Sequence, residues 1–211
     1  MLRAPEKKRA LGYYSRIANG YHRRVARGPL SALRQRERNI VLQLARLAPG
    51  LSLADVGCGS GYYALEAKQR GLRVCAIDAL PEMLAQLDGQ VDEVHLGDLE
   101  SLTGWRVFDR VICAGVLDFV ANVEQAFANL CALVAPGGWL VVLAPSAGPG
   151  GWLYKAEKAL FGLRVNVFEP GWLKEQSRRH GLRPADLRRP LPGNLALSAR
   201  RPLITNGSTA V

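Results

Sequence analysis

The chain has 211 residues, 48% of them hydrophobic and 22% charged. That length predicts one domain with trimmings, and that composition excludes wholesale disorder. The longest apolar run, residues 139–145, is too short to cross a bilayer. The N-terminus, Met1-Leu2-Arg3-Ala4-Pro5-Glu6-Lys7-Lys8, lacks the apolar core of a secretory signal, so a cytoplasmic protein is expected. The net charge of +10 is uneven. Residues 1–50 carry 12 Lys/Arg against 2 acids, residues 51–150 carry 5 against 12, and residues 151–211 carry 11 against 4. The ends therefore meet any anionic partner, whether nucleic acid, a membrane surface or an acidic small molecule, unless they are only solvated helix faces. Cys58, Cys75, Cys113 and Cys131 show no C-x-x-C spacing and sit in apolar segments, which reads as buried reduced thiols. The histidines, at 22, 95 and 180, are too scattered for a metal site, and none is expected.

Residues 13–24 form a Tyr- and Arg-rich arm, expected to be helical in part and broken at Gly20 and again at Gly28-Pro29. Residues 31–47 carry a helical stripe of Leu33, Ile40, Val41, Leu44 and Leu47, ended by Pro49-Gly50. From residue 51 short apolar runs alternate with helix-length segments. Strands are predicted at 51–56, 72–77, 93–96, 108–114 and 139–144, with helices at 61–70, 81–87 and 123–134. After an amphipathic segment at 152–161 come a helix at 172–180 and two strands at 186–191 and 194–199. This alternation defines an α/β fold, a doubly wound sheet covered on both faces. The arm (1–30) precedes a single domain (31–203), and residues 204–211 are expected to be a disordered tail.

The informative stretch is Asp55-Val56-Gly57-Cys58-Gly59-Ser60-Gly61, between a predicted strand and helix. Glycines there let the backbone turn sharply and approach a ligand, while the next helix offers free N–H groups. The pattern is G-x-G-x-G, with Tyr62 where a dinucleotide fingerprint has its third glycine. Asp78 closes the second strand about 20 residues on, where a carboxylate can accept both hydroxyls of a ribose. Gly97-Asp98-Leu99 closes the third strand, placing an acid and an aliphatic group where an adenine amine and ring face would lie. Ala114-Gly115 closes the fourth with small residues, as a floor under a ligand requires.

These motifs, with the later Leu133-Val134-Ala135-Pro136-Gly137-Gly138-Trp139-Leu140, resemble in order those of the class I S-adenosylmethionine-dependent methyltransferases. The likeness spans roughly residues 35–200. It implies a Rossmann-like, seven-stranded sheet, mostly parallel with one antiparallel strand. It also implies S-adenosyl-L-methionine as cofactor and S-adenosyl-L-homocysteine as product. Carried over, Gly57, Cys58 and Gly59 line the methionine moiety, with Asp55 supporting their loop. Asp78 holds the ribose, Ala79 and Met83 flank the adenine, Asp98 meets its amine and Leu99 packs on its ring. The arm, through Tyr14 and Tyr21, resembles the helical N-terminal lid of small-molecule members, and residues 146–170 occupy the place of their substrate cap.

Methyl transfer needs alignment and exclusion of water, and a base only if the acceptor must lose a proton. Asp118, beyond the fourth strand, and Tyr21 and His22, in the arm, are the candidates for that base. No Asn/Asp-Pro-Pro-aromatic or Pro-Cys motif follows the fourth strand, which disfavours amino-directed DNA, protein-glutamine and cytosine-C5 chemistry. The cap segment offers Trp152, Leu153, Tyr154, Leu160, Phe161, Val165, Val167 and Phe168, to an apolar or aromatic acceptor or to the core. The leading expectation is a small-molecule methyltransferase, with the acceptor atom undetermined. An RNA methyltransferase using the basic ends and a catalytically silent S-adenosylmethionine-binding module remain open. Oligomeric state and peripheral membrane contact are open as well.

Overall fold

The computed structural model describes residues 2–27, 31–103 and 106–203, with the side chains of residues 19 and 21–27 also outside the description. The expected tail at 204–211 and the break expected at Gly28-Pro29 lie outside the described residues, as do the side chains of Tyr21 and His22.

Two helices, α1 (Ala4–Arg27) and α2 (Ser31–Ala45), precede the alternating region. There β1 (Ser52–Val56), α3 (Tyr62–Gln69), β2 (Arg73–Asp78), α4 (Pro81–Leu84), β3 (Glu93–Leu96), β4 (Phe108–Ala114), α5 (Val123–Ala132) and β5 (Val134–Pro145) follow in turn. The chain ends in α6 (Pro149–Leu160), α7 (Pro170–Arg179), β6 (Arg183–Arg188) and β7 (Asn194–Arg200). The seven strands are ordered β3-β2-β1-β4-β5-β7-β6. All neighbours are parallel except β7, which runs antiparallel to β5 and to β6. One apolar core on each face makes the central strands buried on both sides. Val56, Val111 and Phe127 belong to one, and Leu44, Leu53, Ala64 and Ile112 to the other.

Several elements depart from expectation: α4 stops at Leu84 instead of residue 87, β6 runs from Arg183 to Arg188 instead of 186–191, and three further differences have clear causes. The arm is not broken at Gly20, because α1 runs unbroken through Gly12 and Gly20. Helical glycine costs about 1 kcal/mol, and the amphipathic face that α1 packs on the domain outweighs it. The strand expected at 139–144 begins instead at Val134, so the helix before it stops at Ala132. Gly138 makes this extension possible: a Cβ there would lie 2.8 Å from the Ala135 carbonyl oxygen and about as close to those of Phe108 and Asp109. The β4–β5 register shifts between Phe108 and Arg110 to accommodate the same crowding. Finally, the amphipathic segment read at 152–161 forms a helix that starts three residues earlier, with Pro149 in its first turn.

Candidate functional site

The order β3-β2-β1-β4 reverses direction between β1 and β4, and ligands of open α/β sheets bind outside the carboxyl ends of strands at such a point. A cavity of about 620 Å³ lies there, roofed by α1 and α6. The glycine loop, Gly57, Cys58 and Gly59, forms its floor with Ala114 and Gly115. Gly57 has φ +69°, and a Cβ on it would sit 2.1 Å from Val116 Cγ2, so both conformation and space require glycine. Beneath the loop, Asp55 does not reach the cavity. Its Oδ2 accepts the Ala64 N–H at 3.0 Å, anchoring the first turn of α3 under the loop. Burial, reinforced by the charge of Asp78, pushes the Asp55 carboxyl up to about 7.

Asp78, at the end of β2, is held by backbone. Oδ2 accepts from Gly59 N–H at 2.9 Å and Oδ1 from Leu80 N–H at 2.9 Å. Burial raises its pKa against those bonds. The carboxylate thus links the glycine loop to the turn before α4, and Ala79 and Met83 line the wall beside it. Gly97, Asp98 and Leu99 line the next wall. Asp98 Oδ1 accepts from Glu100 N–H at 3.0 Å, while Oδ2 accepts from Lys7 of α1, whose ammonium also donates to Glu100. Burial acts to lower the Lys7 pKa, but the hydrogen bonds and charges of its two carboxylates prevail and hold it above its ordinary value.

Lys7 thereby clamps α1 over the β3 end of the cavity, and Tyr14 hangs from the same helix, edge-on to Phe119 with centroids 5.2 Å apart. Ser15 Oγ donates to Glu82 Oε1 at 2.9 Å, and Gln86 Nε2 donates to the Ala18 carbonyl at 3.1 Å. Of the predicted site, then, Tyr14, Gly57, Cys58, Gly59, Asp78, Ala79, Met83, Gly97, Asp98, Leu99, Ala114, Gly115 and Asp118 converge on one cavity.

The other half of the cavity lies between Asp118 and α6. Asp118 is fully buried, and burial pushes its carboxyl up to about 6 despite a hydrogen bond from Tyr154, whose hydroxyl donates to Oδ2 at 2.8 Å. Oδ1 has no protein partner. Asn166 fixes the backbone around this acid. Its N–H donates to the Asp118 carbonyl at 2.9 Å, and its side-chain amide donates to the carbonyls of Leu117 and Val120. Lys158 Nζ lies 5.0 Å from the Tyr154 ring centre, and Glu37 of α2, its pKa raised by burial, faces the same space with the Asn194 amide on its Oε1. Lys7, Glu37, Lys158 and Asn166 were not read as functional from sequence, and Tyr154 was read only as lining supplied by the cap. Tyr154 and Lys158 stand one turn apart on α6, a spacing that places both on one face.

The cap supplies less apolar lining than expected. Only Tyr154 and Phe161 of its eight candidates line the cavity. Val165 and Phe168 are buried elsewhere, Trp152, Leu153 and Leu160 point outward, and Val167 lies beside Gly151.

Strand order and cleft define an open α/β protein of the Rossmann-like class with a ligand site at its switch point. A family model described as a methyltransferase domain matches residues 54–142. Ubiquinone biosynthesis O-methyltransferase of Rickettsia prowazekii (strain Madrid E) is 29% identical over 146 residues, 65% of this chain and 55% of the relative. Malonyl-[acyl-carrier protein] O-methyltransferase of Serratia marcescens is 30% identical over 169 residues, 78% of this chain and 64% of the relative. The chain thus spans less than two thirds of the length of these curated relatives. The crystal structure of magnesium protoporphyrin IX methyltransferase from Synechocystis PCC 6803 with bound S-adenosylhomocysteine superposes with a TM-score of 0.73 at 20% identity, covering 93% of this chain and 99% of that one. Residues 54–142 thus carry a methyltransferase domain, within a fold shared with that crystal structure over 93% of the chain.

Proposed function

We propose that the chain transfers a methyl group from S-adenosylmethionine to a hydroxyl of a small, largely apolar acceptor, with Asp118 as general base. The observation that carries this reading is a buried carboxylate with one unpartnered oxygen, in the same cavity as the glycine loop and Asp78. The cavity suits the cofactor. Gly57 leaves its backbone bare, Asp78 is oriented by two backbone N–H groups, and buried Leu99 offers an aliphatic face. Gly57, Cys58, Gly59, Asp78, Asp98 and Leu99 are the residues that would hold it. When bound, S-adenosylmethionine supplies a methyl group already activated by its sulfonium.

The chain's own residues do the rest. Asp118 is ionised above its pKa of about 6 and accepts the acceptor's proton on Oδ1. Tyr154 donates to Oδ2, which leaves Oδ1 as the oxygen without a hydrogen bond and so the one to take the proton. Lys158 lowers the Asp118 pKa by its charge, limiting how far burial can raise it. Helices α1 and α6 exclude water from the space between them, since a lid that closes over a site protects the reacting groups. That the two curated relatives are O-methyltransferases by name supports an oxygen acceptor, and a hydroxyl, unlike a carboxylate already ionised, is the one that needs a base such as Asp118.

The test pairs binding with turnover. S-adenosylhomocysteine binding is measured by calorimetry for the native chain and for Asp78→Ala. Loss of the carboxylate should weaken binding by about 1.5–3 kcal/mol, roughly 10- to 150-fold. S-adenosylhomocysteine release is then followed with matched phenol and aniline acceptors. Unchanged affinity in a folded Asp78→Ala protein refutes the cofactor site, and turnover of anilines but not phenols refutes the hydroxyl assignment. Binding without turnover of any acceptor leaves a silent module as the correct description.

A further inference from the structure

Helix α6 is amphipathic with the wrong side out. Gly151, Tyr154 and Lys158 turn toward the fold, as the cavity requires. Trp152, Leu153, Ala156, Ala159 and Leu160 are exposed, and their spacing of one, four, seven and eight from Trp152 puts them on one continuous outer stripe. Trp152 is 62%, Leu153 73% and Leu160 84% exposed, and half-exposed Phe161 prolongs the stripe beyond the helix end. Isolated exposed apolar residues need no explanation, but a stripe two turns long on one helix face does.

What borders the stripe identifies its occupant. Helix α1 lies alongside. Arg9 Nη1 donates to the Gly162 carbonyl at 3.4 Å, and the Tyr13 and Phe161 rings stand 5.8 Å apart. Arg3, just before α1, and Lys8, Arg9 and Arg16 on it are all exposed. A groove of about 410 Å³ between the two elements is lined by Arg3, Arg9 and Arg164. Its one acid, Glu6, is already engaged by Arg3 and Arg164, so this border is cationic, and on α6 itself the exposed Glu157 is paired with Lys158 at 3.4 Å. An apolar stripe edged by arginine is the pattern of a helix lying in an interface, its apolar face among acyl chains and its cations on lipid phosphates. A second copy suits it less well, because two-fold docking through this face would bring the two arginine borders together.

We propose that α6, with the outer face of α1, docks on an anionic lipid surface. The stripe Trp152–Leu153–Leu160 enters the headgroup–acyl boundary, and Lys8, Arg9 and Arg16 meet phosphates. Since the opposite face of α6 walls the acceptor half of the cavity, docking sets that half against the bilayer, where apolar molecules partition. That last consequence rests on the methyl-transfer reading; the docking itself does not, and it is measured without catalysis.

The full chain is co-sedimented with phosphatidylcholine vesicles, alone and with about 30% phosphatidylglycerol. Two variants are compared, Trp152→Ser/Leu153→Ser/Leu160→Ser and Lys8→Glu/Arg9→Glu/Arg16→Glu. The native chain should bind the anionic vesicles, more weakly as salt rises, and shift its tryptophan emission to the blue. Trp152→Phe should remove most of that shift. Each triple variant should lose at least about tenfold in vesicle affinity while keeping its circular dichroism and its S-adenosylhomocysteine affinity. Failure to bind anionic vesicles overturns the proposal, as does equal binding by the apolar variant. A dimer in sedimentation velocity that the same apolar variant dissolves also overturns it, because the stripe is then a protein interface.

Discussion

Replacing Asp118 by Asn retains the shape of the side chain and an acceptor for the Tyr154 hydroxyl but removes the base. General bases contribute about 10²- to 10⁴-fold to turnover, so kcat should fall within that range. The pH profile gives a finer measure. With the Asp118 carboxyl at about 6, about nine tenths of it is ionised at pH 7 and about one tenth at pH 5, a roughly tenfold loss of kcat/KM across that interval. Tyr154 sets where the midpoint falls. Its 2.8 Å hydrogen bond favours the ionised acid, and bonds to charged groups are worth about 1.5–3 kcal/mol, or roughly one to two pH units. Tyr154→Phe should therefore move the acidic limb upward by that amount and leave a plateau of similar height at high pH. The assay is S-adenosylhomocysteine release against pH, with calorimetry showing that cofactor affinity is unchanged in both variants. A profile flat from pH 5 to 8, or a midpoint moved downward by Tyr154→Phe, would falsify the role given to Asp118.

Three other expectations concern the frame around the site. Lys7→Met removes the clamp on Asp98 and Glu100, so chymotryptic cutting at Tyr13 and Tyr14 should quicken about tenfold, the effect of about 1.4 kcal/mol of easier opening. Bound S-adenosylhomocysteine should slow it, and cutting indifferent to both changes means that α1 is no lid. Gly151→Ala would put a Cβ 1.7 Å from the Ser146 carbonyl oxygen and push α6 away from the segment that follows β5. Stability should drop by about 1–3 kcal/mol and turnover should fall with cofactor affinity retained, whereas Gly12→Ala, with nothing within 4 Å, should stabilise α1. Asp55, ordinarily near 3.8 and held at about 7 when folded, favours the folded state most below its unfolded pKa, and that contribution is lost as pH rises through about 7. Asp55→Asn should flatten the dependence of unfolding free energy on pH between those two values, by at most about 4 kcal/mol, in urea titrations at a series of pH values.

The sheet was legible because its strands announce themselves by local composition. The strand at 108–114 falls where expected because an apolar run leaves little choice of frame, and the one at 93–96 because Glu-Val-His-Leu alternates with period two. The β1–α3 loop was legible for a different reason: only glycine tolerates φ +69° with Val116 packed against it, so the residue type records the geometry. What escaped was set by distance along the chain. Lys7 meets Asp98 across 91 residues, Tyr154 meets Asp118 across 36, and no local pattern marks either partner. Gly20 was misread as a break because its local cost is visible in the sequence, whereas the packing of α1 on α4 that offsets it is not. The cap's apolar residues misled similarly. Their type was right for a ligand pocket, but the phase of α6 is set by Gly151 against Ser146, and it turns Trp152, Leu153 and Leu160 away.

The two outermost strands, β3 and β6, carry a consequence for self-association. An unpaired strand is a template on which a second chain can extend a sheet. At one margin β3 is only four residues long, and Glu93 there is bound by Arg106, so a visiting strand meets an ion pair instead of a bare ladder. At the other margin β6 carries Arg183 and Arg188 at its ends and Pro184, which has no N–H to donate, beside Arg183. Charge, brevity and proline thus close both margins to strand addition. Folded copies are thereby discouraged from pairing edge to edge into fibrils.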